Sequence, residues 1–161
     1  MIKQIKSFKY AFEGVIYTIR SEAHMRFHIV AAVSAVILGV LFRISRTEWA
    51  VLCTVIALVT ALELVNTAIE RVCDFCSEKY QPLIKIAKDA GAGAVLIAAA
   101  GSVGAGCFIF IKPDEIAELA GFFTANPVYI VFALMYIALC VLFVVKFRSK
   151  SDLHNNKPLK K

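Results

Sequence analysis

The stretch WAVLCTVIALVTALELVNTAIERVCD, residues 49–74, decides the fold. From Trp49 to Ile69 only Glu63, Asn66 and a few threonines interrupt an apolar run, and a helix needs roughly 17–25 such residues to cross a hydrocarbon core about 30 Å thick. The strongly polar side chains are not scattered. Glu63, Asn66, Glu70 and Asp74 lie at offsets 0, 3, 7 and 11, which at about 100° per residue places them within about 80° of one another on a helical wheel. A carboxylate at hydrocarbon depth costs about 2.5–3.5 kcal/mol on insertion scales, so such groups face a protein interior and mark function. Three acids on one face call for a metal, a basic partner or a proton.

Outward from this stretch the whole chain reads as a membrane protein. Sixty per cent of its 161 residues are hydrophobic, and the charges cluster instead of spreading. Residues 27–42, 91–111 and 128–145 are further spans, the first of them short unless its flanks contribute. Before them, Ile5, Phe8, Phe12, Val15, Ile16 and Ile19 recur at helical spacing beside Lys3, Lys6 and Lys9, which predicts a helix over 3–20 lying in the membrane surface and drawn to anionic lipid. The first apolar span begins too late for a secretory leader, and no small-residue cleavage site follows the basic stretch.

Charge sets the expected orientation. The N-terminal segment, the 70–90 connection and the tail 146–161 together carry fifteen of the eighteen Lys and Arg. Four spans put these regions on one face, and the positive-inside rule makes that face cytoplasmic, with both termini inside. The stripe then reaches the cytoplasmic interface at Glu70 and Asp74. Inner-leaflet lipid accounts for the net charge of +6, so no nucleic-acid partner is expected.

Familiar nucleotide and hydrolase motifs are missing: there is no G-x-x-x-x-G-K-[ST], G-x-S-x-G, H-E-x-x-H or H-R-D run. Cys73 and Cys76 form a C-x-x-C, but no second pair or nearby histidine completes a tetrahedral zinc site, and a reducing compartment argues against a disulfide. Gly101, Gly104 and Gly106 read as helix-packing positions. His24 and His28, four apart, read as interfacial histidines.

At the expected cytoplasmic end, Glu22 precedes the first span and Lys88-Asp89 precede the third, so both can converge on the stripe. Carboxylates at 22 and 70 suit Mg²⁺, a hard cation that takes oxygen ligands and leaves part of its shell to phosphates. Lys88 suits phosphate, and Glu63, deeper by one to two turns, suits accepting a proton from an alcohol.

These residues carry a resemblance. ELVNTAIE (63–70), then Asp74, then AKDAGAGAV (87–95), with SFKYAFEG (7–14) and SEAHMR (21–26), resemble the small bacterial diacylglycerol kinase/undecaprenol kinase family over about residues 3–111. The resemblance implies an all-α integral membrane homotrimer, each chain a surface helix and three spans, with active sites between subunits at the cytoplasmic interface. It implies transfer of the γ-phosphate of Mg-ATP to a lipid alcohol. By matching position, Glu63 is the expected general base, and Glu22 and Glu70 the expected Mg²⁺ ligands that also touch ATP. Tyr10, Lys79, Tyr80, Lys88 and Asp89 are expected to contact ATP, and Asn66 and Asp74 to shape the site. Lys3 stands where some members have Arg, which weakens a bidentate phosphate contact. EKYQPLIKIAKDAGAGA (78–94) resembles the Gram-positive type, and Ala92 replaces a serine of the Gram-negative type. Undecaprenol is therefore the favoured acceptor, with diacylglycerol the alternative.

The expected organisation is thus a kinase domain over 1–111, an extracytoplasmic loop over 112–127, an additional span over 128–145 with no acid or base, and a basic cytoplasmic tail over 146–161 in a bacterial plasma membrane. Two other classes compete. A proton or ion relay needs polar groups through the full membrane depth, and Trp49–Leu62 offers only Thr54 and Thr60. A purely structural membrane component leaves the acid stripe without a role.

Overall fold

The structure, a computed structural model, describes residues 2–76 and 81–155, with side chains for residues 4–76 and 81–145. All secondary structure among them is helical: α1 (Ile2–Ser21), α2 (Ala23–Leu41), α3 (Arg46–Cys76), α4 (Pro82–Phe110), α5 (Pro113–Ala125) and α6 (Val128–Asn155). Helices α2, α3, α4 and residues 128–145 of α6 are each long and apolar enough to cross a membrane. The all-α, four-span architecture with a preceding surface helix is as expected. On α1, Ile5, Phe8 and Phe12 lie uncovered by protein, as the lipid-facing side of an interfacial helix must.

The spans run past their apolar cores. At 31 residues α3 is about 46 Å long, against a hydrocarbon thickness of about 30 Å. Counted from Trp49, about 20 residues cross the core. That leaves Glu70 and Asp74 in the headgroup region and Glu63 about 9 Å inside its edge.

Helix α3 is the centre of the packing. It pairs most extensively with α4 and next with α2, while α6 rests on α2 and α1. Ile44, Leu52 and Ile109 form a buried cluster at the outer end, with Trp49 and the edge-to-face pair Phe42–Phe110 against it. Gly39 permits this closure, since a Cβ there would come within 2.9 Å of the Trp49 ring. The start of α3 is a capping box: the Ser45 N–H donates to Glu48 Oε2 at 2.7 Å, and the Glu48 N–H donates to Ser45 Oγ at 3.3 Å.

The connection 112–127, read from sequence as a loop, holds helix α5 instead. Pro113 at its first turn, followed by Asp114 and Glu115 where the helix dipole favours acids, supplies the start signals. Lys112 joins this helix to α3 by ion pairs to Glu48 at 2.9 Å and Glu115 at 3.6 Å. Hydrogen bonding to Glu48 pushes the Lys112 ammonium above its ordinary range.

Candidate active site

A break between α1 and α2 sets the cytoplasmic end of the site. Glu22 has extended backbone between the two helices, so the carbonyls of Ile19 and Arg20 lose their helical partners. Arg26, only 1 % exposed, turns back and donates from Nη1 to both, at 3.1 Å each. A cation there also opposes the negative end of the α1 dipole. In the sequence Arg26 reads as one more cytoplasmic charge and as the end of the SEAHMR run that resembles the family. The sole signal of its capping role is an arginine standing next to an apolar run.

The break turns the Glu22 carboxylate toward α3, where it accepts from Arg71 Nη2 at 2.7 Å. The Arg71 guanidinium also lies 5.5 Å from the centroid of the Tyr17 ring. Glu63 is 3 % exposed, and His24, Glu22 and Glu70 lie within electrostatic reach of it. One turn on, Asn66 is 8 % exposed and donates from Nδ2 to Glu70 Oε1 at 3.1 Å. Thr67, also buried, donates to the Glu63 carbonyl at 3.0 Å, so the helix satisfies it locally.

Helix α4 closes the other side. A Cβ at Gly91 would lie 2.6 Å from Asn66 Oδ1, so only glycine lets the two helices meet at the amide. Lys88 is bonded to Asp74, and Lys85 to Asp89. By contrast Gly93, Gly101, Gly104 and Gly106 have no neighbouring atoms within 4 Å of an added Cβ. The packing role expected of the last three is therefore not met among the described residues.

The structure thus brings Glu22, Glu63, Asn66 and Glu70 together, with Asp74 and Lys88 as an adjacent pair. Tyr10 faces a groove of about 310 Å³ between α1 and α3 that Arg71, Thr18 and Thr67 also line. Asp89 is exposed beside Lys85. Lys79 and Tyr80 lie outside the described residues, as does the Lys3 side chain. Cys73 is buried and Cys76 exposed, both as free thiols.

The donor set suits a hard divalent cation. Glu70 is bonded to Asn66 and to no Lys or Arg among the described residues, and Asn66 Oδ1 is buried without a hydrogen-bond partner. The Glu22 carboxylate is paired with Arg71. No group of three or more His, Cys, Asp or Glu side chains stands ready to hold a metal among the described residues. A bound cation would therefore complete its shell from substrate oxygens, water or residues beyond this set.

Away from the interface, an apolar cleft of about 300 Å³ runs between α2, α3 and α4, with Ala35, Leu52, Val55 and Gly106 among its walls. Its cytoplasmic end is bounded by His28 and Thr60, one turn outward from His24 and Glu63.

Comparison with known proteins decides the family. The sequence profile described as Prokaryotic diacylglycerol kinase matches residues 9–110, which include α2, α3, α4 and most of α1. The chain belongs to this family. Its members phosphorylate a membrane lipid alcohol at the expense of ATP, and Mg²⁺ dependence follows at the level of the family. Among relatives, the chain is 42 % identical to the undecaprenol kinase of Bacillus subtilis over 106 residues, covering 66 % of this chain and 86 % of the relative. It is 39 % identical over 108 residues to a diacylglycerol kinase of Synechocystis, covering 66 % and 62 % respectively. It is 34 % identical over 94 residues to the Escherichia coli diacylglycerol kinase, covering 58 % and 77 %. No solved structure gives a significant match. Helices α5 and α6 lie beyond the matched residues.

Proposed function

We propose that this membrane kinase phosphorylates undecaprenol, giving undecaprenyl phosphate, at a site where Glu63 accepts the proton of the lipid hydroxyl. The observation that carries the reading is the burial of Glu63, 3 % exposed on a span long and apolar enough to cross a membrane; helix rise puts it about 9 Å inside the hydrocarbon edge, at the head of a stripe that ends in the headgroup region. A lipid alcohol reaches that depth without leaving the bilayer, whereas a water-soluble acceptor does not. The apolar cleft that begins one turn outward from Glu63 supports an acceptor with a long hydrocarbon tail. Undecaprenol is favoured over diacylglycerol by the 78–94 stretch and by the 42 % identity to the Bacillus subtilis enzyme.

Phosphoryl transfer asks a protein chiefly for positioning and charge neutralisation. Bound between Glu22 and Glu70, Mg²⁺ would neutralise phosphate charge and shape the donor. Asn66 holds Glu70 in place. Lys88, held by Asp74, presents an ammonium on the cytoplasmic side of Glu63, and Tyr10, Lys79, Tyr80, Asp89 and Lys3 complete the nucleotide contacts. Glu63 orients the acceptor hydroxyl and takes its proton as the oxygen bonds to the γ-phosphorus and the bond from that phosphorus to the ADP oxygen breaks, so that ADP leaves.

A groove lies open between α1 and α3, and Gly101 of α4 is exposed with open space beside it, as both would be if a homotrimer completed the site between chains. The test is purified protein in mixed micelles with Mg²⁺, labelled ATP and either undecaprenol or diacylglycerol. Labelled undecaprenyl phosphate as the dominant product is expected. Preference for diacylglycerol would reassign the acceptor, and no labelled lipid from either alcohol would refute the kinase reading.

A further inference from the structure

Arg71 lies outside the residues that the family resemblance marks, yet it is tied to one of them. Its Nη2 holds Glu22 at 2.7 Å, its guanidinium stands 5.5 Å from the Tyr17 ring centroid, and its Nε is buried with no hydrogen-bond partner. It lines the α1–α3 groove together with Tyr10, Thr18 and Thr67. On α3 it directly follows Glu70, at the level where the helix leaves the hydrocarbon.

These contacts conflict with a purely static role. While Arg71 holds Glu22, one lone pair of the carboxylate is taken and a positive charge stands beside it, and both oppose a second cation at the same group. The planar fork of an arginine fits a phosphate as well as it fits a carboxylate, and binds it in the same bidentate manner. The unpartnered Nε is half of such a fork, left unused by the single Nη2 bond to Glu22. Arg71 is partly exposed within a groove open to the interface, so a phosphate can approach it.

We propose that Arg71 is a phosphate-binding residue of this chain and that it exchanges partners: Glu22 in the absence of ligand, a phosphate group when one is bound. The exchange frees Glu22 for the cation that accompanies the phosphates. Cation and phosphate then arrive together, since each removes the obstacle to the other. The inference rests on the kinase reading of the same site.

Binding measured by equilibrium titration, without turnover, tests it. In micelles, Arg71→Ala should weaken binding of a non-hydrolysable ATP analogue about tenfold and leave adenosine unchanged, with Arg71→Lys between the two. Mn²⁺ alone should bind Arg71→Ala more tightly than wild type, because Glu22 is released. Glu22→Gln should tighten the metal-free triphosphate, and the gain should vanish in the double variant with Arg71→Ala. The same series with a short-chain phosphatidic acid distinguishes the phosphate of the donor from that of a lipid product. Dependence on Arg71 in either arm supports the proposal and names the source. Equal binding by wild type and Arg71→Ala in both arms, or equal loss of triphosphate and adenosine, overturns it. Should Arg71→Ala fail to fold, the Glu22→Gln and Arg71→Lys series decides alone. A wild-type protein that transfers no phosphate refutes the kinase reading. An active wild type whose phosphate ligands ignore Arg71 refutes this inference only.

Discussion

Helices α3 and α6 are both apolar enough to cross a membrane, and they solve opposite problems. Helix α3 buries Glu63, Asn66 and Thr67 among its neighbouring helices, whereas no residue of α6 from Val128 to Val145 is buried. Its interhelical polar bond is Tyr136 to Ser34 on α2, at 2.9 Å; Ser34 Oγ already donates to the Val30 carbonyl, which leaves it to accept from the phenol. The contrast shows what protein burial does for a span. Where neighbours shield a helix, polar groups are tolerated and put to use, and where lipid is the neighbour the helix stays uniformly apolar.

The sharpest way to break the comparison is at Glu63. Replacing Glu63 with Gln keeps the shape and removes the base, so transfer should fall about 10²–10⁴-fold while binding of an ATP analogue persists. Unchanged turnover in that variant would show that the buried stripe is scaffold, as inert as α6. The next largest effect is expected at Gly91. A Gly91→Ala side chain would meet Asn66 Oδ1 at 2.6 Å, and overpacking of this kind costs about 1–3 kcal/mol. Lower thermal stability with a collapse in transfer is the expected result, and a normal melting curve with normal activity would show that α3 and α4 can separate there.

Deleting residues 112–161 should matter less. Every residue assigned to the chemistry lies on α1–α4 or in the connections between α1 and α2 and between α3 and α4, so transfer should stay within about tenfold of wild type in a phosphotransfer assay. Loss of transfer with the fold intact would make α6 part of the lipid site. The smallest effect is expected from Tyr136→Phe, at about 0.6 kcal/mol in a micelle unfolding assay, the average for interhelical hydrogen bonds in membranes. A cost of several kcal/mol would mean that α6 is locked on α2, not resting against it.

Much of this was legible in the chain before folding. Hydropathy over about 20 residues located the spans, and the 3.6-residue period placed Glu63, Asn66, Glu70 and Asp74 on one face. The ELVNTAIE and AKDAGAGAV runs (63–70 and 87–95) identified the family, because they join rare intramembrane acids at a particular spacing. The Ser45–Glu48 capping box and the Pro113 start of α5 are also written locally, as short start signals.

Other features belong to tertiary structure alone. Glu22 and Arg71 are 49 residues apart, and Ser34 and Tyr136 are 102 apart. No local period encodes such pairs. That Glu22 meets an arginine before any metal, that Gly91 and not Gly101 is the glycine of close approach, and that α6 settles on α2 were decided by how the helices dock. Periodicity states which face of a helix is polar. Only packing, which sets the distance and rotation between helices, states what that face will touch.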